Sequence, residues 1–290
     1  MHIKIGFDII YECSQPTPML LMLNVHPSRQ HDLVEPDTLQ FSPDVPARSY
    51  LDGFGNICTR IVAPAGELRI STDTVIHDVG TPEPIVPSAM QHNVADLPDE
   101  ALTYLLASRY CETDKLVEMA WSMFGQTQPG WPRVQAICDF VNNKIRFGYP
   151  HASATRTAAD ALSDQRGVCR DFAHLAITLC RCMNIPARYC TGYLGDIGVP
   201  LDPAPMDFSA WFEVYLDGKW YSFDARHNMP RIARILIGRG RDAADVAIST
   251  TFGQNTLRKF TVWTDELPGP DGSIAPVVQP PSQNSCGLAV

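Results

Sequence analysis

The sequence lacks the features of a membrane protein or a nucleic-acid binder. No uninterrupted apolar stretch approaches the roughly 20 residues that a helix needs to cross a bilayer. The opening segment MHIKIGFDII has too short an apolar run, and no small-residue cleavage site, for a signal peptide. Basic residues are scarce, since 23 Lys and Arg stand against 32 Asp and Glu. Because nucleic-acid binding needs clustered Lys and Arg, we expect no nucleic acid and no membrane as partner, and a cytoplasmic location.

Patterns of metal ligands are absent as well. The chain has nine cysteines, an odd number that cannot all pair within one molecule. Cys180 and Cys182 fall in a predicted helix, and no Cys-x-x-Cys pair of the kind found at zinc sites occurs. We find no calcium-binding loop either. The sequence therefore predicts no metal and no cofactor, and reduced cysteines that mostly fill the core.

The composition that remains is that of a globular protein. The 290 residues are 45% hydrophobic and 19% charged, which is enough apolar material for a core and argues against disorder. We predict three parts: a β-rich domain over 1–90, a core domain over 91–266, and a tail rich in Pro, Gly and Ser over 267–290. The sequence does not indicate the oligomeric state.

The first part shows the patterns of short strands. Apolar and polar residues alternate over 3–9, and further strands are predicted at 19–25, 57–62 and 68–79. Short strands separated by turns favour a small antiparallel β-sandwich. The Pro-rich segment Thr81–Pro87 is the predicted linker to the next part.

The second part mixes helical and strand patterns. We predict helices at 99–107, 113–124, 132–145, 157–162 and 169–182, and strands at 187–193, 210–216, 219–224 and 256–264. Asp217-Gly218 is a strong hairpin signal between two of these strands. The order of elements predicts an α+β fold.

One cysteine stands at a chemically distinctive place. In Arg166-Gly167-Val168-Cys169-Arg170, Cys169 is predicted to begin a helix. Unpaired N–H groups and the helix dipole at such a position favour an anion, so we expect a lowered thiol pKa and a reactive thiolate.

The segments that follow resemble the transglutaminase-like superfamily of bacterial proteins. Gly167-x-Cys169 starts a helix, Ile185-Pro186-Ala187-Arg188 precedes a strand, and Ser209-Ala210-Trp211-Phe212-Glu213-Val214 lies on the next strand, with Asp224 ending the one after. The resemblance covers roughly residues 100–265 and its motif order is specific. It implies a papain-like core in which a helix carrying Cys169 packs on an antiparallel sheet, preceded here by the β-sandwich.

The resemblance also implies residue roles. Cys169 is the expected thiol nucleophile, and Asp224 is expected to orient an imidazole base. The implied activity is that of a cysteine protease, another hydrolase or an acyltransferase, acting through a thioester on an amide or acyl group of a peptide or protein.

The family's catalytic His is replaced by Ser209 in this chain. A serine hydroxyl cannot serve as a base near neutral pH. Three explanations are open: the site is inactive, another His supplies the imidazole, or Ser209 is an artificial substitution. The best substitute is His227, three residues beyond Asp224, because the small Ser209 would leave room for its ring.

Several other residues are weaker candidates. Gln165 could donate to an oxyanion, and Trp211 and Tyr193 could line an acyl-binding slot, although strand aromatics more often belong to the core. His174 points away from Cys169 by helical geometry. The basic run of Arg231, Arg234, Arg239 and Arg241 is interpreted as a solvated mixed face.

The sequence leaves two functions open. The first is an enzyme that cleaves or exchanges an amide bond at Cys169. The second is an inactive transglutaminase-like protein that binds peptides or proteins in the former cleft. We expect the position of His227 relative to Cys169 to distinguish them.

Overall fold

A computed structural model describes residues 1–269 and 272–277 and shows the predicted α+β fold. The first six strands are β1 (His2–Cys13), β2 (Thr17–Leu21), β3 (Gln40–Ser42), β4 (Arg48–Leu51), β5 (Ile57–Ala63) and β6 (Gly66–His77). The predicted tail falls largely on residues 270, 271 and 278–290, outside the described residues, as does Cys286.

Five helices and eight strands follow. The helices are α1 (Asp99–Leu102), α2 (Thr113–Phe124), α3 (Trp131–Lys144), α4 (Ala158–Asp164) and α5 (Cys169–Cys182). The strands are β7 (Arg146–Phe147), β8 (Arg166–Gly167), β9 (Ala187–Tyr193), β10 (Ser209–Leu216), β11 (Lys219–Phe223), β12 (Ile235–Gly240), β13 (Ser249–Thr251) and β14 (Asn255–Leu267). Within residues 1–269 and 272–277, no helix has the length and apolarity to cross a bilayer.

The strands at the two ends of the described chain build the β-sandwich together. One sheet has the order β14-β1-β6-β3 and the other the order β13-β2-β5-β4. The central β1 alternates as predicted, so that Ile3, Ile5, Phe7 and Ile9 are all buried. Its long antiparallel pairing with β14 joins His2 to Leu267 and Cys13 to Asn255. Strands β13 and β14, which lie in the predicted core domain, pair with strands of the sandwich. The domain boundary near residue 90 stays a prediction.

The elements predicted to carry the site belong to a third four-stranded sheet and to the helix packed on it. An antiparallel sheet has the order β11-β10-β9-β12, and α5 packs on β9 and β10. The α5 helix is buried almost throughout. One face is apolar, and the polar side chains of the other face, His174, Thr178 and Arg181 among them, are buried with hydrogen-bond partners. The predicted bounds of α2, α5 and β9 are confirmed.

The first predicted helix of this part is shorter than expected. The α1 helix ends at Leu102 and continues only as a 3-10 turn over Thr103–Leu105. The next carbonyl, that of Leu106, instead accepts a hydrogen bond from Arg181 Nη1 on α5 at 3.0 Å. Leu106 has an extended backbone, and this ends the helical turn before the predicted residue.

The approach to α5 requires a glycine. The Asp171 carboxylate accepts from the backbone N–H of Val168 at 2.8 Å and so caps the helix. It passes directly over Gly167, where an added Cβ would lie 2.5 Å from Asp171 Oδ2. The capping contact and the start of the helix at Cys169 therefore depend on the absence of a side chain at Gly167.

We predict that Gly167→Ala destabilises the protein by about 1–3 kcal/mol through overpacking against the capping carboxylate. Urea unfolding measures the loss. Gly53→Ala is the matched control, because open space surrounds Gly53 and its backbone needs no glycine. Equal stability of the two variants would contradict this account of the helix start.

Candidate active site

Cys169 opens α5 and borders a cleft of about 720 Å³. Its thiol is half-buried and close to the backbone N–H of Ala210 on β10. Ser209 and His227 border the same cleft. The structure thus brings Cys169, Ser209 and His227 to one cavity, and Asp224 lies directly behind His227.

Asp224 is buried and accepts four hydrogen bonds. Its Oδ1 accepts from the backbone N–H groups of Arg226 at 2.9 Å and His227 at 3.0 Å. Its Oδ2 accepts from His227 Nδ1 at 2.7 Å and from Arg234 Nη2 at 2.8 Å. Burial would raise the pKa of Asp224, but the charges of His227 and Arg234 and these hydrogen bonds hold it well below its usual value. The carboxylate is therefore an ionised acceptor at neutral pH.

The pairing with Asp224 determines the tautomer of His227. An ionised carboxylate only accepts, so His227 Nδ1 carries the proton of this hydrogen bond. In the neutral ring, Nε2 is then unprotonated. In this tautomer Nε2 is free to accept a proton.

Ser209 occupies the first position of β10, opposite Gly192 of β9. It is 6% exposed, and its Oγ has no hydrogen-bond partner within the described part of the chain. Leaving a buried hydroxyl without a partner costs free energy.

The thiol pKa differs from the expectation. Burial raises the pKa of Cys169 to about 11, although Arg226 and the N–H of Ala210 act in the opposite direction. The prediction of a lowered thiol pKa is wrong, because desolvation at the packed start of α5 outweighs the charges near it. The Cys169 thiol is therefore protonated at neutral pH.

The other candidate residues lie outside the cleft. Gln165 is exposed in a left-handed conformation at the end of α4, with φ of 55°, and is not among the residues that line the cleft. Trp211 and Tyr193 are 2% and 1% exposed and belong to the core. They cannot line an acyl-binding slot as proposed. His174 is also buried, stacked on Tyr110 with ring centroids 4.9 Å apart.

The interpretation of the arginine run as a solvated face is wrong for its first two members. Arg234 donates from Nη2 to Asp224, and its Nε lies 2.8 Å from Glu83 Oε1 in the linker. Arg231 donates from Nη2 to the backbone carbonyl of Gly195 at 2.8 Å. Both are buried because they compensate buried acids and carbonyls. Arg241 keeps a partly exposed pair with Asp245.

Three cleft residues were not singled out from the sequence. Tyr189 lines the cleft from β9, Asp207 lies two residues before Ser209, and the Arg226 guanidinium stacks 3.6 Å from the centroid of the Phe147 ring. Arg226 and Asp207 adjoin Asp224 and Ser209 in sequence, and that proximity was the available signal. Among residues 1–269 and 272–277, no group of three or more His, Cys, Asp or Glu side chains could hold a metal ion.

The chain matches a family profile, a solved structure and uncharacterised mycobacterial proteins. The profile of the family described as "Transglutaminase-like superfamily" matches residues 119–225. A solved structure of a candidate cysteine protease from Cytophaga hutchinsonii is similar with a TM-score of 0.82 and 29% identity, over 96% of this chain and 93% of that one. An uncharacterised protein of Mycobacterium tuberculosis is 30% identical, over 67% of this chain and 68% of its own length. One from Mycobacterium leprae is 26% identical, over 68% and 73% respectively.

We predict that Arg234→Met lowers the free energy of unfolding by about 3–5 kcal/mol, because it removes a buried cation from the buried carboxylate of Asp224 and from the partly buried Glu83. Arg258→Met on the exposed face of β14 is the matched control and should change it by less than about 0.5 kcal/mol. Urea unfolding followed by circular dichroism gives both values. If both variants lose similarly little stability, the pair of Arg234 and Asp224 contributes little to the free energy of unfolding.

The raised thiol pKa predicts the pH dependence of alkylation. Only the thiolate reacts, so the rate of Cys169 modification by iodoacetamide should rise about tenfold per pH unit from about pH 7 to 9.5. Mass spectrometry of the Cys169 peptide follows the reaction, with free cysteine as a control whose rate levels near its pKa of about 8.5. A plateau for Cys169 below about pH 8 would show that the thiolate is stabilised after all.

Proposed function

The chain belongs to the transglutaminase-like superfamily, and from this premise we propose that it cleaves or exchanges an amide bond through a thioester at Cys169. The observation that supports this most directly is the 2.7 Å hydrogen bond between His227 Nδ1 and Asp224, beside the cleft that also holds Cys169. An oriented imidazole and a thiol in one cavity are the parts that acyl transfer to sulfur needs.

In the proposed reaction, the Cys169 sulfur attacks the carbonyl carbon of the substrate while its proton passes to His227 Nε2. The tetrahedral intermediate collapses, the amine leaves with the proton from Nε2, and a thioester remains. Water or a second amine then attacks the thioester and returns the proton to the thiol by the same imidazole. Asp224 keeps its negative charge throughout and stabilises the imidazolium.

Because the pKa of the Cys169 thiol is raised, its proton leaves during the attack of the sulfur and not before it. Because Cys169 is a neutral thiol at rest, a base has to remove its proton as the sulfur attacks. This makes the proposed reaction dependent on His227 in a way that a preformed thiolate would not be. Ser209, which is small and buried at the edge of the cleft, leaves room for the ring.

The start of α5 supplies the proposed oxyanion donor. The backbone N–H of Cys169 belongs to the first turn of the helix, where N–H groups have no partner within the helix. Such a donor favours the negative oxygen of the intermediate. Tyr189 and Tyr149 add aromatic surface to the cleft wall, and we propose a peptide or protein as the source of the amide.

A second candidate function rests on Ser209. The family's base position holds a residue that cannot take a proton, and the thiol is not activated at rest. A protein of this kind would bind a peptide in the cleft without cleaving it.

We expect the full-length protein to release coumarin from a fluorogenic peptide amide, or to form a hydroxamate from a glutamine peptide with hydroxylamine. Cys169→Ala should remove the activity, and His227→Gln should lower it by about 10²–10⁴-fold, the usual contribution of a general base. His31→Gln, which changes an exposed histidine, is the matched control and should have no effect.

Ser209→His distinguishes the two functions. If His227 is the base, this variant changes the rate of an already active protein by a small factor. If the wild type is inactive on both substrates and Ser209→His creates turnover that His227→Gln does not reduce, the binding function is correct and the role proposed for His227 is refuted.

A further inference from the structure

A second cavity of about 460 Å³ lies on the other flank of Asp224. Among the described residues, Arg231 is the one side chain that it shares with the cleft. We call it the rear cavity and define it by its lining: Ile85 from the linker, Trp131 from α3, Ile197 from the loop after β9, Phe223 from β11, and Ile232 after the hairpin.

The walls of the rear cavity are mostly apolar and already built. Trp131 and Phe223 are each 6% exposed, and their rings lie 4.5 Å apart between centroids. Ile197 and Ile232 are also buried, whereas Ile85 is 60% exposed at the opening. The volume falls within the range of about 300–1,000 Å³ that is typical of small-molecule sites.

One buried polar side chain of the lining, that of Arg231, has an unused hydrogen-bond donor. Arg231 is 3% exposed in its side chain, and its Nε–H has no hydrogen-bond partner within the described chain. Buried donors of this kind are normally satisfied, so an acceptor is the group that this cavity lacks.

Both carboxylates of the lining already have partners. Glu83 bonds to Arg234 through Oε1 and to the backbone N–H of Arg231 through Oε2. Asp224 accepts four hydrogen bonds, as described above. Arg231 pairs with Asp196 through Nη2 at 3.5 Å, and its Nε–H remains without a partner within the described chain. Burial and the neighbouring Arg234 lower the pKa of Arg231, whereas Asp224 and Asp196 act in the opposite direction.

We propose that the rear cavity binds a small amphipathic carboxylate, with the apolar body against Trp131, Phe223 and Ile197 and the carboxylate on Arg231. One singly charged, planar head matches the one free guanidinium N–H of Arg231. An ammonium ligand is disfavoured because the Glu83 and Asp224 oxygens already have their donors. A doubly charged phosphate would be repelled by these same two carboxylates.

Isothermal titration of the full-length protein with phenylbutyrate tests the chemistry. The neutral phenylbutyramide has the same apolar body and is the control ligand. We expect the carboxylate to bind at least about tenfold more tightly than the amide, which corresponds to about 1.4 kcal/mol. Equal affinities, or no saturable binding up to about 10 mM, would overturn the proposal.

Three matched variants test the location. Ile85→Asp places a negative charge at the exposed opening and should weaken phenylbutyrate binding at least about fivefold. Val79→Asp and Leu201→Asp place the same charge at exposed positions outside the rear cavity, the latter at the rim of the cleft. Both should leave the affinity unchanged.

A ligand in the cleft would give the opposite result. If Leu201→Asp weakens binding and Ile85→Asp does not, the carboxylate binds in the cleft and the rear cavity proposal is wrong. All readouts are binding constants, so the proposal survives or fails independently of whether Cys169 is catalytically active.

Discussion

The ion pair between Asp224 and Arg234 is the interaction on which the site depends. A carboxylate this deeply buried is tolerated only when cations and N–H groups surround it, since its desolvation costs several kcal/mol. Arg234 in turn pairs with Glu83 of the linker, and Asp224 orients His227. One buried charge therefore connects the linker, the hairpin and the imidazole, and the direction of the His227 ring follows from it.

Local patterns were sufficient to predict the elements that carry the site. Cys169 begins α5 and Asp224 follows β11 as expected, because a glycine before the helix and a hairpin turn at Asp217-Gly218 are signals within a few residues. The approach of His227 to Asp224 also follows from a separation of three residues in a tight turn. The papain-like fold could be predicted because these local signals occur in a characteristic order.

Features that depend on distant parts of the chain could not be predicted in this way. The arginine run resembles a solvated surface until its partners are known, and Glu83 precedes Arg234 by a long stretch of chain. The thiol pKa depends on how completely Cys169 is packed, which no helix-start pattern reveals. Strand β12 was missed for a related reason, since its arginine and glycines obscure the apolar pattern of a strand.

The pairing of β1 with β14 has a consequence for biosynthesis. The central strand β1 is synthesised well before β14, its neighbour on one side. Until that neighbour emerges, β1 presents an unpaired edge and part of an apolar face. Such an edge can add strands from other chains, so this topology favours association of incomplete chains during synthesis.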